Sequence, residues 1–291
     1  MNDPNLMILA GGVSSRMKRS LLSRVGLDPK LMNEAQSKSK TMLTIGEGKR
    51  PFLDYLLHNA REAGYEDVLI VISEKDTSIR EYYGAKEMGN EFNGLRISYA
   101  VQRIPAGRTK PLGTADAVLQ GMNGRQDWQG RKFTVCNGDN LYSRKALLTL
   151  LESRYPNAMI DYDRDALRFD ESRILKFAIT QKDDEGFLTA IIEKPTDKEI
   201  ERSKGKNGTI GVSMNIFRLD YNDAIPYIRA VPLHPIREEK ELPTAISMML
   251  QQHPRSVYAF PLAERVPDMT SIDDFVTVGD YLSKEFGKFA W

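Results

Sequence analysis

Two glycines, two serines and an arginine, Gly11, Gly12, Ser14, Ser15 and Arg16, follow directly on the apolar run Leu6-Met7-Ile8-Leu9-Ala10. Residue types in this order can cradle phosphate. Glycines let backbone amides approach an anion, hydroxyls add donors, and a guanidinium adds fixed positive charge. A nucleoside triphosphate is the ligand this predicts; a plain Gly-rich turn after the first strand of an α/β domain is the alternative. Other phosphate and hydrolase motifs are excluded. The Gly-Lys pairs at 48–49, 205–206 and 287–288 lack the Ser or Thr that follows in a P-loop. There is no Gly-x-Gly-x-x-Gly, His-Glu-x-x-His or Gly-x-Ser-x-Gly either.

Further chemistry sits at the ends of apolar runs. Asn137-Gly138-Asp139 closes Phe133-Thr134-Val135-Cys136, which puts the Asp139 carboxylate where a parallel sheet binds ligands and a hard cation; an Asx-turn is the alternative. Asp268, in Val266-Pro267-Asp268-Met269-Thr270, is an isolated acid that gains meaning as a partner of Asp139 and is otherwise an ordinary acid before a helix. Gln102 ends Arg96–Val101, and Gly113-Thr114-Ala115-Asp116-Ala117 follows as a close-packed helix start. An amide that donates and accepts beside small residues suits a flat nucleobase. Glu193-Lys194-Pro195 ends another strand, offering a lysine to phosphate and an acid to hydroxyls, or else an exposed ion pair.

The elements that must position these residues are legible in the hydrophobic rhythm. Strands are predicted at about 6–10, 68–72, 96–101 and 132–136, alternating with helices near 52–63, 76–83, 114–122 and 144–153. That predicts a Rossmann-like, mostly parallel mixed sheet with helices on both faces. Beyond about 155, strands at 157–163, 174–180, 187–193 and 209–217 crowd together, predicting a more antiparallel, substrate-facing half. Helices at 219–229, 240–252 and 272–286 and a strand near 256–261 complete the chain. With no Pro/Gly/Ser linker, residues 1–291 are expected to form a single domain, the nucleotide-binding half at about 1–155 and the sugar-phosphate half at about 156–291. One segment looks inserted: Lys18, Arg19, Arg24, Lys30, Lys38 and Lys40 are set against Asp28 and Glu34 alone, either a basic flap over phosphates or a solvated surface.

Composition narrows the class. With 41 basic and 40 acidic residues the net charge is +1, so no global field attracts nucleic acid or an anionic membrane. The lone Cys136 excludes an internal disulfide and reads as a small buried strand residue. Neither a leader nor an apolar run of membrane-spanning length is found, which predicts a cytoplasmic protein.

In order, these residues resemble the nucleotide-sugar pyrophosphorylases, or sugar-1-phosphate nucleotidyltransferases. The matching motifs are LAGGVSSRM at 9–17, KTML at 40–43, Gln102 with GTADA at 113–117, NGD at 137–139, EKP at 193–195 and Asp-x-x-x-x-Asp-Asp at 268–274. The resemblance implies a glycosyltransferase-A-like core that joins a nucleoside triphosphate to a sugar-1-phosphate, giving an NDP-sugar and pyrophosphate. It implies that Gly11, Gly12 and Arg16 wrap the triphosphate, with Lys40 reaching it from the next segment. Gln102 and Gly113 would read the base, Asp139 and Asp268 would hold Mg2+, and Glu193 and Lys194 would face the sugar phosphate. Ala10, Thr114, Asn137 and Gly138 complete the implied binding set. Arg16, Lys40 and Lys194 are then the catalytic cations, while His58, His234 and His253 lie outside every motif.

The chain departs from the common family pattern at Ser14, where Gly is usual, at Thr41, where Pro is usual, in the basic insertion at about 18–39 and in a second insertion before Gly113. It ends without a repeat-rich extension, which implies a transferase-only unit, and a homo-oligomer is left open. Two alternatives use the same fold: a glycosyltransferase that consumes NDP-sugars, and a non-catalytic nucleotide-sugar-sensing subunit.

Overall fold

The structure is a computed structural model that describes residues 3–12, 17, 33–34, 37–46, 48–205, 207–271 and 273–287. Among these residues a ten-stranded mixed sheet runs through the molecule. Its first half is built from β1 (Asn5–Leu9), a small hairpin of β2 (Thr44–Ile45) and β3 (Arg50–Pro51), α1 (Phe52–Glu62), β4 (Asp67–Ser73), α2 (Ser78–Tyr83), β5 (Asn90–Phe92), β6 (Leu95–Gln102), α3 (Thr114–Gly124), β7 (Lys132–Asn137) and α4 (Arg144–Leu151). The second half carries β8 (Asn157–Asp163), α5 (Glu171–Ile174), β9 (Ile179–Lys182), β10 (Leu188–Ile192), α6 (Asp197–Arg202), β11 (Gly211–Asp220), α7 (Tyr221–Ala230), α8 (Leu242–Gln252), β12 (Val257–Leu262) and α9 (Asp274–Phe286).

Alternation along the central strands explains why helices cover both faces. Leu6 and Ile8 of β1 join Val68, Ile70 and Ile72 of β4 in one apolar cluster, beneath α1 and α4. Met7, Leu69 and Val71 point the other way, into a cluster with α3, α7 and α8. Strands β1, β4, β6 and β7 are parallel, as expected, and β7 pairs antiparallel with β11, so the two halves of the chain share one sheet.

Strand order sets the position of the site. β4 and then β6 lie to one side of β1, whereas β7 returns to its other side. In such a sheet the crevice opens where the order reverses, at the carboxyl ends of β1 and β7. Ala10–Gly12 and Asn137–Asp139 occupy those ends.

One expected strand is cut short. Residues 174–180 were predicted as strand, but α5 takes Ile174 and the strand begins at Ile179. The amides of Arg173 and Ile174 both donate to the Asp170 carbonyl at 2.9 Å, starting a helical turn. Ile174 and Phe177 then pack on the core three residues apart, a helical spacing that an unbroken strand could not satisfy. α6, missed in the sequence pattern, starts at a reciprocal capping box between Thr196 and Glu199.

Candidate active site

A cleft of about 780 Å³ opens at the switch point. Its floor is a seam of backbone hydrogen bonds. The Ala10 amide donates to the Val71 carbonyl at 2.8 Å, and the Gly138 amide to the Leu9 carbonyl at 2.9 Å. Gly138 fits closely there: a Cβ would meet Leu9 O and Thr41 Cγ2 at 3.2 Å and Ile8 Cγ2 at 3.1 Å, so a side chain would push these neighbours aside. Past that seam the chain presents Asp139, and a distant segment comes to meet it. Asn140 and Asp268 form an antiparallel bridge, in which the Met269 amide donates to the Asp139 carbonyl and the Leu141 amide to the Pro267 carbonyl, both at 2.9 Å. Two acids 129 positions apart are thereby fixed as backbone neighbours, and both line the cleft.

Each acid carries a cation. Lys40 donates to Asp139 Oδ2. Arg173 donates to Asp268 Oδ2 at 2.7 Å and pairs with Asp274, while its guanidinium lies 4.6 Å from the Phe169 ring centre. The Thr270 hydroxyl donates to Asp268 Oδ1 at 2.8 Å. Burial pushes the Asp268 carboxyl above its ordinary range, and the nearby Asp139 charge adds to this against the opposing pull of Arg173. A cation beside Asp268 would favour its ionised form against that burial. Among the described residues no three His, Cys, Asp or Glu side chains converge as a metal cage. Two hard carboxylates lining one cleft are nevertheless the donor type that suits Mg2+ when other oxygens and water complete its shell.

At one side of the cleft, Gln102 Nε2 donates to the Gly113 carbonyl at 2.8 Å. Gly113 caps the start of α3 at φ +108°, and a Cβ there would stand 2.6 Å from the Lys240 carbonyl oxygen. The Thr114 hydroxyl accepts from the Leu242 amide at 2.9 Å, joining α3 to α8. At the other side, Arg237 pairs with Glu193, at the end of β10, and with Glu241 at 2.6 Å. Lys110 pairs with Glu239 at 2.9 Å. β11 enters this side through a register shift between Ser213 and Phe217, where Asn215 takes φ +55°. A bulge of this kind re-aims side chains, and Ser213, Met214 and Asn215 line the cleft.

Of the residues singled out in the sequence, Ala10, Gly11, Gly12, Lys40, Gln102, Gly113, Thr114, Asn137, Asp139, Glu193 and Asp268 line this one cleft. Gly138 lies in its floor seam. Lys194 is exposed, takes φ +48° and is not part of the lining. Arg16 and most of the basic stretch at 18–39 lie outside the described residues. Lys38, at the end of that stretch, pairs with Glu34 at 3.1 Å, and Glu34 also accepts from the Thr44 amide at 3.2 Å. Arg173, Arg237 and Glu241 line the cleft although no motif marks them. Arg237 sits in the run Arg-Glu-Glu-Lys-Glu, which from sequence alone is indistinguishable from a solvated charged face. Cys136 is fully buried, and burial pushes its thiol up, so it is an inert strand residue.

Comparison with known proteins defines the class. The family model described as Nucleotidyl transferase matches residues 26–279, and the chain belongs to that family. It is 29% identical over 151 residues to the bifunctional protein GlmU of Symbiobacterium thermophilum, covering 52% of this chain and 25% of that one. It is 26% identical over 162 residues to the D-glycero-alpha-D-manno-heptose 1-phosphate guanylyltransferase of Campylobacter jejuni, covering 54% of this chain and 59% of the relative. The solved UDP-glucose pyrophosphorylase of Acinetobacter baumanii shares the fold at a TM-score of 0.66 and 16% identity, over 98% of this chain and 95% of that one. The chain thus spans between a quarter and about three fifths of the length of these two curated relatives. No helix among the described residues is long and apolar enough to cross a membrane.

Proposed function

We propose that the protein transfers a nucleotidyl group from a nucleoside triphosphate to a sugar-1-phosphate, releasing pyrophosphate. In that reaction a sugar-1-phosphate oxygen forms a bond to the α-phosphorus. The bond from that phosphorus to the bridging oxygen of the β-phosphate breaks, and pyrophosphate leaves with the electron pair. The attacking oxygen is already anionic at neutral pH, so no protein nucleophile or general base is needed, in keeping with histidines that lie outside every motif. The obstacle is repulsion between two polyanions, and positioned cations lower it.

The observation that carries this reading is the Asn140–Asp268 bridge, which brings the backbone segment of Asp268 against that of Asp139 where both acids line the cleft. Asp139 and Asp268 are the residues to hold Mg2+, which when bound would neutralise phosphate charge as it develops. Gly11, Gly12 and Lys40 serve the triphosphate, with Ala10, Asn137 and Gly138 shaping the floor beneath it. Arg16 is assigned the same task from its motif alone. Gln102, Gly113 and Thr114 serve the base. Glu193 is assigned to sugar hydroxyls, and Arg237, which it holds in the cleft, to the sugar phosphate alongside Lys194. The names of the relatives support this substrate class, a heptose 1-phosphate guanylyltransferase and several glucose-1-phosphate adenylyltransferases among them.

The test is Mg2+-dependent pyrophosphate release with a panel of nucleoside triphosphates crossed with sugar-1-phosphates. At least one pair should turn over, and adding pyrophosphate to the product should reverse it. No release with any pair, or consumption of an NDP-sugar without pyrophosphate chemistry, would refute the proposal.

A further inference from the structure

The stretch before Gly113, which the sequence marks as an insertion, has its partner in the second half of the chain. Arg108, Lys110 and Leu112 meet the loop between α7 and α8 one after another. Arg108 Nη2 donates to the Glu238 carbonyl at 2.7 Å. Lys110 Nζ donates to the Arg237 carbonyl at 3.0 Å and to Glu239 Oε1 at 2.9 Å. The Leu112 carbonyl accepts from the Lys240 amide. The loop is also closed on itself, since the His234 amide donates to the Glu239 carbonyl and the Glu238 amide to the His234 carbonyl, both at 2.8 Å. The Arg237 amide donates to His234 Nδ1 at 3.2 Å. Both backbone groups of Arg237 are thus held, the amide from within the loop and the carbonyl by Lys110. Its side chain keeps capacity for a ligand: Nη2 donates to Glu193 and Glu241, whereas Nη1 makes no hydrogen bond among the described residues and is not sealed in the core.

We infer that Lys110 is a positioning residue, which fixes the backbone of Arg237 so that its guanidinium meets the sugar phosphate. The insertion then ties the start of α3 to the place of the second substrate. An ammonium makes a stronger bond to a carbonyl than a neutral donor does, and Glu239 holds that ammonium in place. This inference rests on Arg237 serving the sugar phosphate, as in the proposed function. Lys110 also lines the cleft, so direct contact with substrate is the competing role.

A double-mutant cycle separates the two roles. Pyrophosphate release is measured with the pair of nucleoside triphosphate and sugar-1-phosphate that turns over fastest in the panel, for wild type, Lys110→Met, Arg237→Met and the double variant. Lys110 is 43% exposed, so its replacement by Met leaves the core intact. Lys110→Met should lower kcat/KM for the sugar-1-phosphate at least about threefold, the effect of a charged hydrogen bond discounted for solvent. The loss should fall mainly on KM, with KM for the nucleoside triphosphate changed less than about twofold. In the Arg237→Met background the same substitution should change kcat/KM less than about twofold, because the group it positions is gone. Losses that multiply in the double variant would make Lys110 an independent contact and overturn the inference. Equal losses for both substrates, or no loss, would overturn it as well, leaving nucleotidyl transfer intact. Turnover of no pair would overturn both the inference and the proposed function.

Discussion

Glu241 gives the sharpest prediction from this cleft because its titration is displaced toward neutrality and its neighbours are all identified. Its side chain is 13% exposed. Burial, with the charges of Glu193 and Glu239, pushes it up from an ordinary 4.5 to about 7, against the opposing pull of Arg237 and Lys194. A gap of about 2.5 pH units is worth about 3 kcal/mol at ~1.36 kcal/mol per unit. The sign follows from proton binding. Between pH 4.5 and about 7 the native state holds this proton and the unfolded chain has released it. The contribution is therefore complete below 4.5 and is lost as pH rises through about 7. An unfolding entropy of ~2.1 cal/mol/K per residue over 291 residues is about 0.6 kcal/mol/K, so the loss lowers the melting temperature by about 5 °C. Glu241→Gln cannot ionise. Calorimetric melting of both proteins from about pH 4.5 to pH 8 should show the wild type falling relative to the variant by that amount. Parallel curves across the whole range would refute the electrostatic reasoning.

Three further outcomes follow from other parts of the molecule. Asp139→Asn should lower turnover by at least about a hundredfold, the scale of losing a well-placed electrostatic stabiliser, and near-normal pyrophosphate release by the folded variant would remove Asp139 from the site. Gly113→Ala forces a Cβ to 2.6 Å from the Lys240 carbonyl at φ +108°. It should cost about 2 kcal/mol or more in urea unfolding and weaken nucleotide binding, and an unchanged midpoint would contradict that crowding. Arg125, 3% exposed, donates from both terminal nitrogens to Asp67. Arg125→Met leaves the largely buried Asp67 carboxylate with only the Trp128 indole N–H at 3.3 Å and Arg96 at 3.9 Å, and should cost about 3 kcal/mol without altering kcat, whereas a kcat effect at full stability would mean the pair serves the site directly.

How legible this was from the sequence depended on whether the signal was local. The strand ends at Ala10, Gln102 and Asn137 were readable because parallel strands are buried on both faces and appear as continuous apolar runs closed by polar or glycine residues. Asp268 was readable only through family resemblance, since its meaning comes from pairing across 129 positions with Asp139. α5 was not readable: its four residues are decided by the Asp170 turn and by packing of Ile174 and Phe177, which periodicity in a short window cannot separate from a strand. Arg173 and Arg237 were invisible for the same reason, because long charged side chains advertise a surface until tertiary contacts show a carboxylate held against each.

Those carboxylates make the cleft different from a simple basic pocket. Five cations line it, Lys40, Lys110, Arg173, Lys176 and Arg237, against five acids, Asp139, Glu193, Glu239, Glu241 and Asp268. Only Lys176 has no carboxylate partner among the described residues. Paired in this way, long side chains are already ordered, so a phosphate that displaces a carboxylate costs little further side-chain entropy. The exchange also releases an acid at the moment an anion arrives. For Lys40 and Arg173 the released acids are Asp139 and Asp268, the two that the backbone bridge holds together. Under the proposed reaction, triphosphate entry and cation capture therefore reinforce each other: each phosphate oxygen that engages Lys40 uncovers carboxylate charge that favours Mg2+. Mg2+ held by Asp139 would in turn weaken the hold of that carboxylate on Lys40. That reciprocity requires nucleotide affinity to rise with Mg2+ and Mg2+ affinity to rise with nucleotide by the same factor.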